Sequence, residues 1–95
     1  MSKTIKSLIR MNGRVYVYLA NSDVGEKFLL QAEQEGFTFG DGAKPTEQHY
    51  SEIMAINHNR TINYVGFVGC MAYGSGTKTI GKEKLIRINY QKYIS

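Results

Sequence analysis

The sequence has one cysteine, one proline, no tryptophan and no acidic residue among its first twenty positions. A single cysteine, Cys70, cannot close an internal disulfide, so the chain carries no disulfide framework and gives no sign of an oxidising compartment. Cys70 reads as a small buried hydrophobe, because a catalytic thiol needs a lowered pKa and a partner base, and no sequence feature supplies either. No apolar run approaches the roughly 18 residues of a membrane span. The basic start Lys3-Thr4-Ile5-Lys6 is not followed by the apolar stretch of a secretory signal. These absences predict a cytoplasmic protein without a membrane partner. What is present fits a folded chain: 42% hydrophobic against 21% charged residues is a globular composition, not a disordered one. Its 95 residues make one domain, residues 1–95, with one core and little to spare.

The net charge of +4 is unevenly spread. Residues 1–20 hold four bases (Lys3, Lys6, Arg10, Arg14) and no acid, residues 21–60 hold three bases against seven acids, and residues 61–95 hold five bases against Glu83. If the two basic ends pair in one sheet, they gather on one surface that attracts an anion, whether nucleic acid, a nucleotide or an acidic protein. The plainer reading is solubilising charge of mixed sign.

Along the chain, Asn12-Gly13 lies between two stretches rich in β-formers, residues 5–11 and 15–20, and reads as the type I′ turn of a hairpin. Val15, Val17 and Leu19 alternate with Tyr16 and Tyr18, which predicts one aliphatic and one tyrosine face. Residues 23–35 are predicted helical, capped by Ser22 or Asp23, with Val24, Phe28, Leu29 and Ala32 on one face and Gly36 as a left-handed end. Phe37-Thr38-Phe39 resumes extended chain, and Gly40-Asp41-Gly42 breaks it. After Pro45, residues 46–50 suit one helical turn. Residues 51–57 and 61–73 are expected to form a second hairpin around His58-Asn59-Arg60, with Gly66 and Gly69 marking a bulge or bend. Residues 74–82 read as a loop and residues 85–90 as a last strand, with Ile86, Ile88 and Tyr90 facing one way and Leu85, Arg87 and Asn89 the other. The expected fold is therefore α+β: an antiparallel sheet of five to six strands, in the order ββαβββ plus a terminal strand, with one helix on one face and the other face open.

Three chemical motifs fall short of their context. Gly76-Thr77-Lys78-Thr79-Ile80-Gly81-Lys82 satisfies the G-x-x-x-x-G-K part of a phosphate-binding loop, but Glu83 stands where Ser or Thr is needed, and a strand follows instead of a helix. A looser phosphate grip by this glycine-lysine loop remains open. Arg14-Val15-Tyr16-Val17-Tyr18-Leu19-Ala20-Asn21 before a helix resembles the first strand of an RNA-recognition domain, and Tyr64-Val65-Gly66-Phe67-Val68-Gly69 its aromatic third strand, but the order βαββαβ needs a second helix for which no room is read after Thr61. His49 and His58, with scattered carboxylates, lack metal-ligand spacing. No Ser-His-Asp or Cys-His order appears, so the expectation is a protein that is not an enzyme, without cofactor or metal.

The segment Gly36-Phe37-Thr38-Phe39-Gly40-Asp41-Gly42-Ala43-Lys44-Pro45-Thr46 resembles a motif of small, uncharacterised proteins of phages and mobile elements of Gram-positive bacteria. In those, a helix ends in Gly-Phe-x-(Phe or Trp), followed by a glycine turn, Pro-Thr and a strand pair. Here Phe39 stands where tryptophan is common and Asp41 where serine is. The arrangement extends over residues 23–67 and carries no catalytic residues with it. The resemblance implies a binding module in the host cell's cytoplasm that inhibits a host defence protein or sequesters an anionic nucleotide. The expected surface joins the Tyr16 and Tyr18 face to the loops at 42–46 and 74–82. On it, Lys44, Lys78, Lys82 and Arg87 supply charge, while Tyr16, Tyr18, Tyr64 and Tyr73 supply stacking area. The alternatives are a nucleic-acid-binding domain using the same basic, tyrosine-rich face, and a structural oligomer such as a homodimer that pairs strand edges.

Overall fold

Two residues, Ile5 and Leu8, begin the fold in an unexpected way. Both are buried, and their three-residue spacing suits a 3₁₀ turn over Lys6–Arg10, not the alternation of a strand. The Glu35 carboxylate accepts the Ile5 and Lys6 N–H groups at 3.0 and 2.8 Å, which fixes the start of that turn. The expected first hairpin is thus replaced by a turn running into a single strand. The structure, a computed structural model, describes residues 3–80 and 83–94, and the side chains of all of these but 67–69. Gly13 matters for a different reason than hairpin geometry. It has φ +151°, and a Cβ there would overlap the Lys84 carbonyl oxygen of a neighbouring strand.

Strand β1 (Arg14–Tyr18) turns Val15 and Val17 to one side and Tyr16 and Tyr18 to the other, as its alternation predicts. Helix α1 (Ser22–Gln34) follows, and its N-cap is Asn21, whose side chain accepts the Val24 N–H at 3.0 Å. Val24, Phe28, Leu29 and Ala32 form its buried face. Gly25 lies there too, because a Cβ would run into the Tyr50 ring. Gly36, at φ +88°, ends the helix, with the Phe37 N–H returning to the Ala32 carbonyl at 2.9 Å.

Next come β2 (Thr38–Phe39), a 3₁₀ turn at Pro45–Glu47, β3 (Ile53–Ile56) and β4 (Thr61–Tyr64). The β3–β4 hairpin forms as expected, with Arg60 at φ +64° in its turn. The predicted long strand over 61–73 does not. It stops at Tyr64, and α2 (Phe67–Gly74) starts after Gly66, whose carbonyl accepts the Cys70 N–H at 3.0 Å. The glycine ends the strand, and Cys70 and Tyr73, three residues apart, both reach the sheet. β5 (Thr79–Ile80), β6 (Glu83–Asn89) and α3 (Tyr90–Ile94) complete the chain.

The class is α+β, with one six-stranded sheet in the order β2-β4-β3-β1-β6-β5. The sheet is mixed, not antiparallel throughout. β1 runs parallel to β6 (Val15 opposite Ile86) and β2 parallel to β4, while β1–β3, β3–β4 and β5–β6 are antiparallel. α1 covers one face over Val15, Val17, Met54, Ile56 and Ile62, and α3 adds Tyr90, whose ring meets Phe28 edge-on at 5.3 Å. The opposite face is not open. α2 lies on it, over Tyr16, Ile53, Ala55 and Leu85. The sequence pattern predicts one helix and the structure has two more, α2 and α3; the apolar residues of α2 suit a continuation of β4 equally well.

Candidate functional site

The expected tyrosine surface is largely an internal one. Tyr16 is 6% exposed beneath α2. Tyr18 is half-buried, its ring stacked on Tyr73 with centroids 6.3 Å apart. Burial pushes the Tyr73 hydroxyl pKa above its ordinary value, against the opposing pull of the Arg87 charge. Arg87 faces this side, as its alternation predicted, and works on α2. Its Nε donates to the Tyr73 carbonyl at 2.9 Å, and its Nη2 to the Ala72 and Thr77 carbonyls at 2.9 and 2.6 Å. The guanidinium thereby closes the carboxyl end of α2, where carbonyls lack helical partners and a positive charge is favoured.

The other expected members are scattered. Tyr64 lies with Phe39 on the α1 side of the sheet, centroids 5.3 Å apart, and donates its hydroxyl to the His49 carbonyl at 2.5 Å. Burial raises its pKa. Lys44 adjoins the 3₁₀ turn near edge strand β2, while Lys78 leads into β5 at the opposite edge. Lys82 lies outside the described residues, as does Gly81. The glycine-lysine segment enters a strand, its Thr77 carbonyl is held by Arg87, and its Lys78 carbonyl accepts the Leu85 N–H at 2.9 Å. The helix that a phosphate loop requires does not follow. Around Lys44, Glu33 accepts both the hydroxyl and the N–H of Thr46 at 2.6 and 3.2 Å. These bonds hold its carboxyl below the usual range, with a smaller contribution from the Lys44 charge.

A different group does converge. Where α2 leaves the sheet uncovered, a cleft of about 360 Å³ opens over the start of β1, the end of β3 and the turn that follows. The antiparallel register Val15↔Ile56 sets Arg14 beside Asn57, and the parallel β6 brings Glu83 alongside. Arg14 Nε donates to Glu83 Oε2 at 3.0 Å, and both side chains are about half exposed. Asn57 Nδ2 donates to Thr61 Oγ1 and Asn63 Oδ1 at 3.0 and 2.7 Å, and the Thr61 hydroxyl donates to Asn59 Oδ1 at 2.6 Å. His58 Nδ1 lies 2.6 Å from the Ile9 carbonyl, which makes Nδ1 the donor and leaves Nε2 as an acceptor when the ring is neutral. Tyr16 and Ala55 form the apolar part of the wall.

This constellation offers both kinds of hydrogen bond. The Arg14 Nη groups and the Asn59 amide nitrogen have no partner among the described residues, and neither does the Asn57 amide oxygen. In the sequence Arg14 registers as a basic residue at the start of a strand and Asn59 as a turn residue, and neither is marked there as part of a site. The signal that was present is Asn57, Asn59 and Asn63 clustered around one hairpin turn, polar where a strand face would otherwise be apolar. No group of three or more His, Cys, Asp and Glu able to hold a metal occurs among the described residues, and no described helix is long and apolar enough to cross a membrane. Compared with known proteins, the chain matches no family model, no curated protein and no solved structure.

Proposed function

We propose that the chain is a non-enzymatic binding module, of the phage or mobile-element kind its residues 36–46 resemble, and that it captures a nucleotide-sized anion in the sheet-end cleft. The observation that carries this reading is Arg14. Its fork has five N–H donors, of which one bond to Glu83 is made, and it borders a cleft that also presents the Asn57 and Asn59 amides, the His58 ring and the Tyr16 side chain. The volume of about 360 Å³ falls within the roughly 300–1,000 Å³ of small-ligand sites. Asparagine amides suit a base edge, and an arginine fork suits a phosphate. Glu83 acts as an internal counter-ion that the phosphate displaces.

The nucleic-acid reading has less support, because the rings it needs for stacking do not share an open face: Tyr16 and Tyr18 pack under α2, Tyr73 belongs to α2, and Tyr64 lies on the opposite side of the sheet. The edge-pairing oligomer also has less, since both edge strands are two residues long and short edges resist pairing. Calorimetric titration with adenosine and guanosine monophosphates, and with inorganic phosphate, tests the proposal. One nucleotide is expected to bind saturably at one site. Arg14→Ala should weaken it about tenfold or more, the worth of one charge-assisted contact, and Glu83→Gln should tighten it. Absence of saturable nucleotide binding, or weaker binding in Glu83→Gln, refutes the anion reading.

A further inference from the structure

On the other side of the molecule, the exposed flank of α1 forms a trough. Two concavities, of about 460 and 290 Å³, share Lys27 and Leu30 and so make one elongated groove. α1 has 13 residues, which at 1.5 Å each gives the groove a length of ~20 Å. The wide end lies between α1, α3 and the amino-terminal segment. It has an apolar floor of Leu30 and Ile94, with Lys3 and Lys27 beside it. Leu30 is 49% exposed while its neighbour Leu29 is buried. Lys3 is held in place, its Nζ 5.4 Å from the centroid of the Tyr93 ring. The narrow end carries Asp23 and Glu26.

The groove's inner amide is already paired: Gln31 donates to the Lys3 carbonyl and to Glu35 at 3.1 and 2.7 Å and accepts the Tyr90 hydroxyl. Recognition there rests on the apolar floor, the charges and the exposed Gln34 amide. The shape suits a chain more than a compact molecule, and the charges are mixed along it, Lys3 and Glu35 at the wide end, Lys27 in the middle and Asp23 and Glu26 at the narrow end, which disfavours a uniformly anionic membrane surface.

We infer that this trough docks an amphipathic peptide segment of a partner protein. An aliphatic side chain sits over Leu30 and Ile94, an acidic residue lies between Lys3 and Lys27, and a basic residue points to Asp23 and Glu26. This is a second site, independent of the cleft around Arg14.

The test uses a fluorescein-labelled peptide of about twelve residues, long enough to span ~20 Å as a helix, with Glu and Leu in its first half and Lys in its second. Anisotropy and amide shifts are recorded on the intact protein. Saturable binding is expected, with shifts confined to residues 3–4, 23–34 and 90–94. Leu30→Gln should weaken it about tenfold through lost apolar burial, and Lys27→Glu about fivefold or more through a reversed rim charge. Lys78→Glu makes the same change in net charge beside β5 and should alter binding by less than about twofold. Arg14→Ala should leave it unchanged, which separates this proposal from that of the cleft. Both trough substitutions are at exposed helix positions, and unchanged circular dichroism verifies the fold. No saturable binding, equal weakening by Lys78→Glu, or shifts centred on the sheet-end cleft would overturn the inference.

Discussion

At position 90, where β6 gives way to α3, a tyrosine turns to the α1 side of the sheet, where its ring packs on Phe28 and its hydroxyl donates to Gln31. Burial, and then the nearby Glu35 carboxylate, push its pKa up to about 12. A tyrosinate is the charged form, so both causes oppose ionisation in the folded state. In the unfolded chain the same group titrates near 10. Its contribution is therefore complete below pH 10 and is lost as pH rises through about 12, an amount of about 2–3 kcal/mol. Urea unfolding at a series of pH values should show this decline, and Tyr90→Phe should flatten it. The variant gives up about 1 kcal/mol at neutral pH by leaving Gln31 without its donor, so the slope between pH 10 and 12 is the readout. An unchanged slope would place the alkaline sensitivity elsewhere, with Tyr64 and Tyr73 next to examine.

Among the elements, α2 departs most from what its residues suggested, and Arg87 holds it in place. One guanidinium joins three carbonyls from two turns of chain and lies 5.5 Å from the Tyr73 ring centroid. Arg87→Ala should cost about 1.5–3 kcal/mol, the usual range for bonds to a charged group. Arg87→Lys should recover less than half, because one ammonium cannot spread over the carbonyls as a planar fork does. Equal stability of the lysine variant and the parent in urea would sink this account of the cap. The same element shows what could be read in advance. The faces of β1 and α1 and the left-handed end at Gly36 are set by short-range periodicity and by one backbone angle, so residues 15–36 were legible, apart from the cap falling on Asn21. α2 was not legible, because its apolar residues suit strand or helix alike. The choice rests on a glycine break and on an arginine 14 residues beyond Tyr73. The cleft was hidden for a similar reason. Arg14, Asn57 and Glu83 meet only through the pairings of β1 with β3 and β6, and no local pattern announces which strands pair.

For the molecule as a whole, the parallel pairing of β1 with β6 decides both charge and stability. It does bring the two basic ends of the chain together, as anion attraction would require. At the junction, however, Arg14 is bonded to Glu83, and Arg87 is turned inward to α2, so the seam is not an open basic patch. β1 is a central strand only because β6 covers it. Ending the chain after Thr77 would take away β5, β6 and α3, and with them buried Leu85 and Tyr90 and half-buried Ile86 and Ile88. At ~1.5–3 kcal/mol for each fully buried large side chain and less for the others, the loss is roughly 5–10 kcal/mol. Domains of this size are stable by about 5–15 kcal/mol. The losses also include the Arg87 cap and the partner of Phe28, so the balance falls on the unfolded side. The shortened chain should therefore show no cooperative thermal transition by circular dichroism, even though α1 and the β3–β4 hairpin remain in its sequence. A sharp transition would mean that β1, β3 and β4 with α1 fold unaided, and β6 would then be an addition to a self-sufficient half rather than the strand that completes the core.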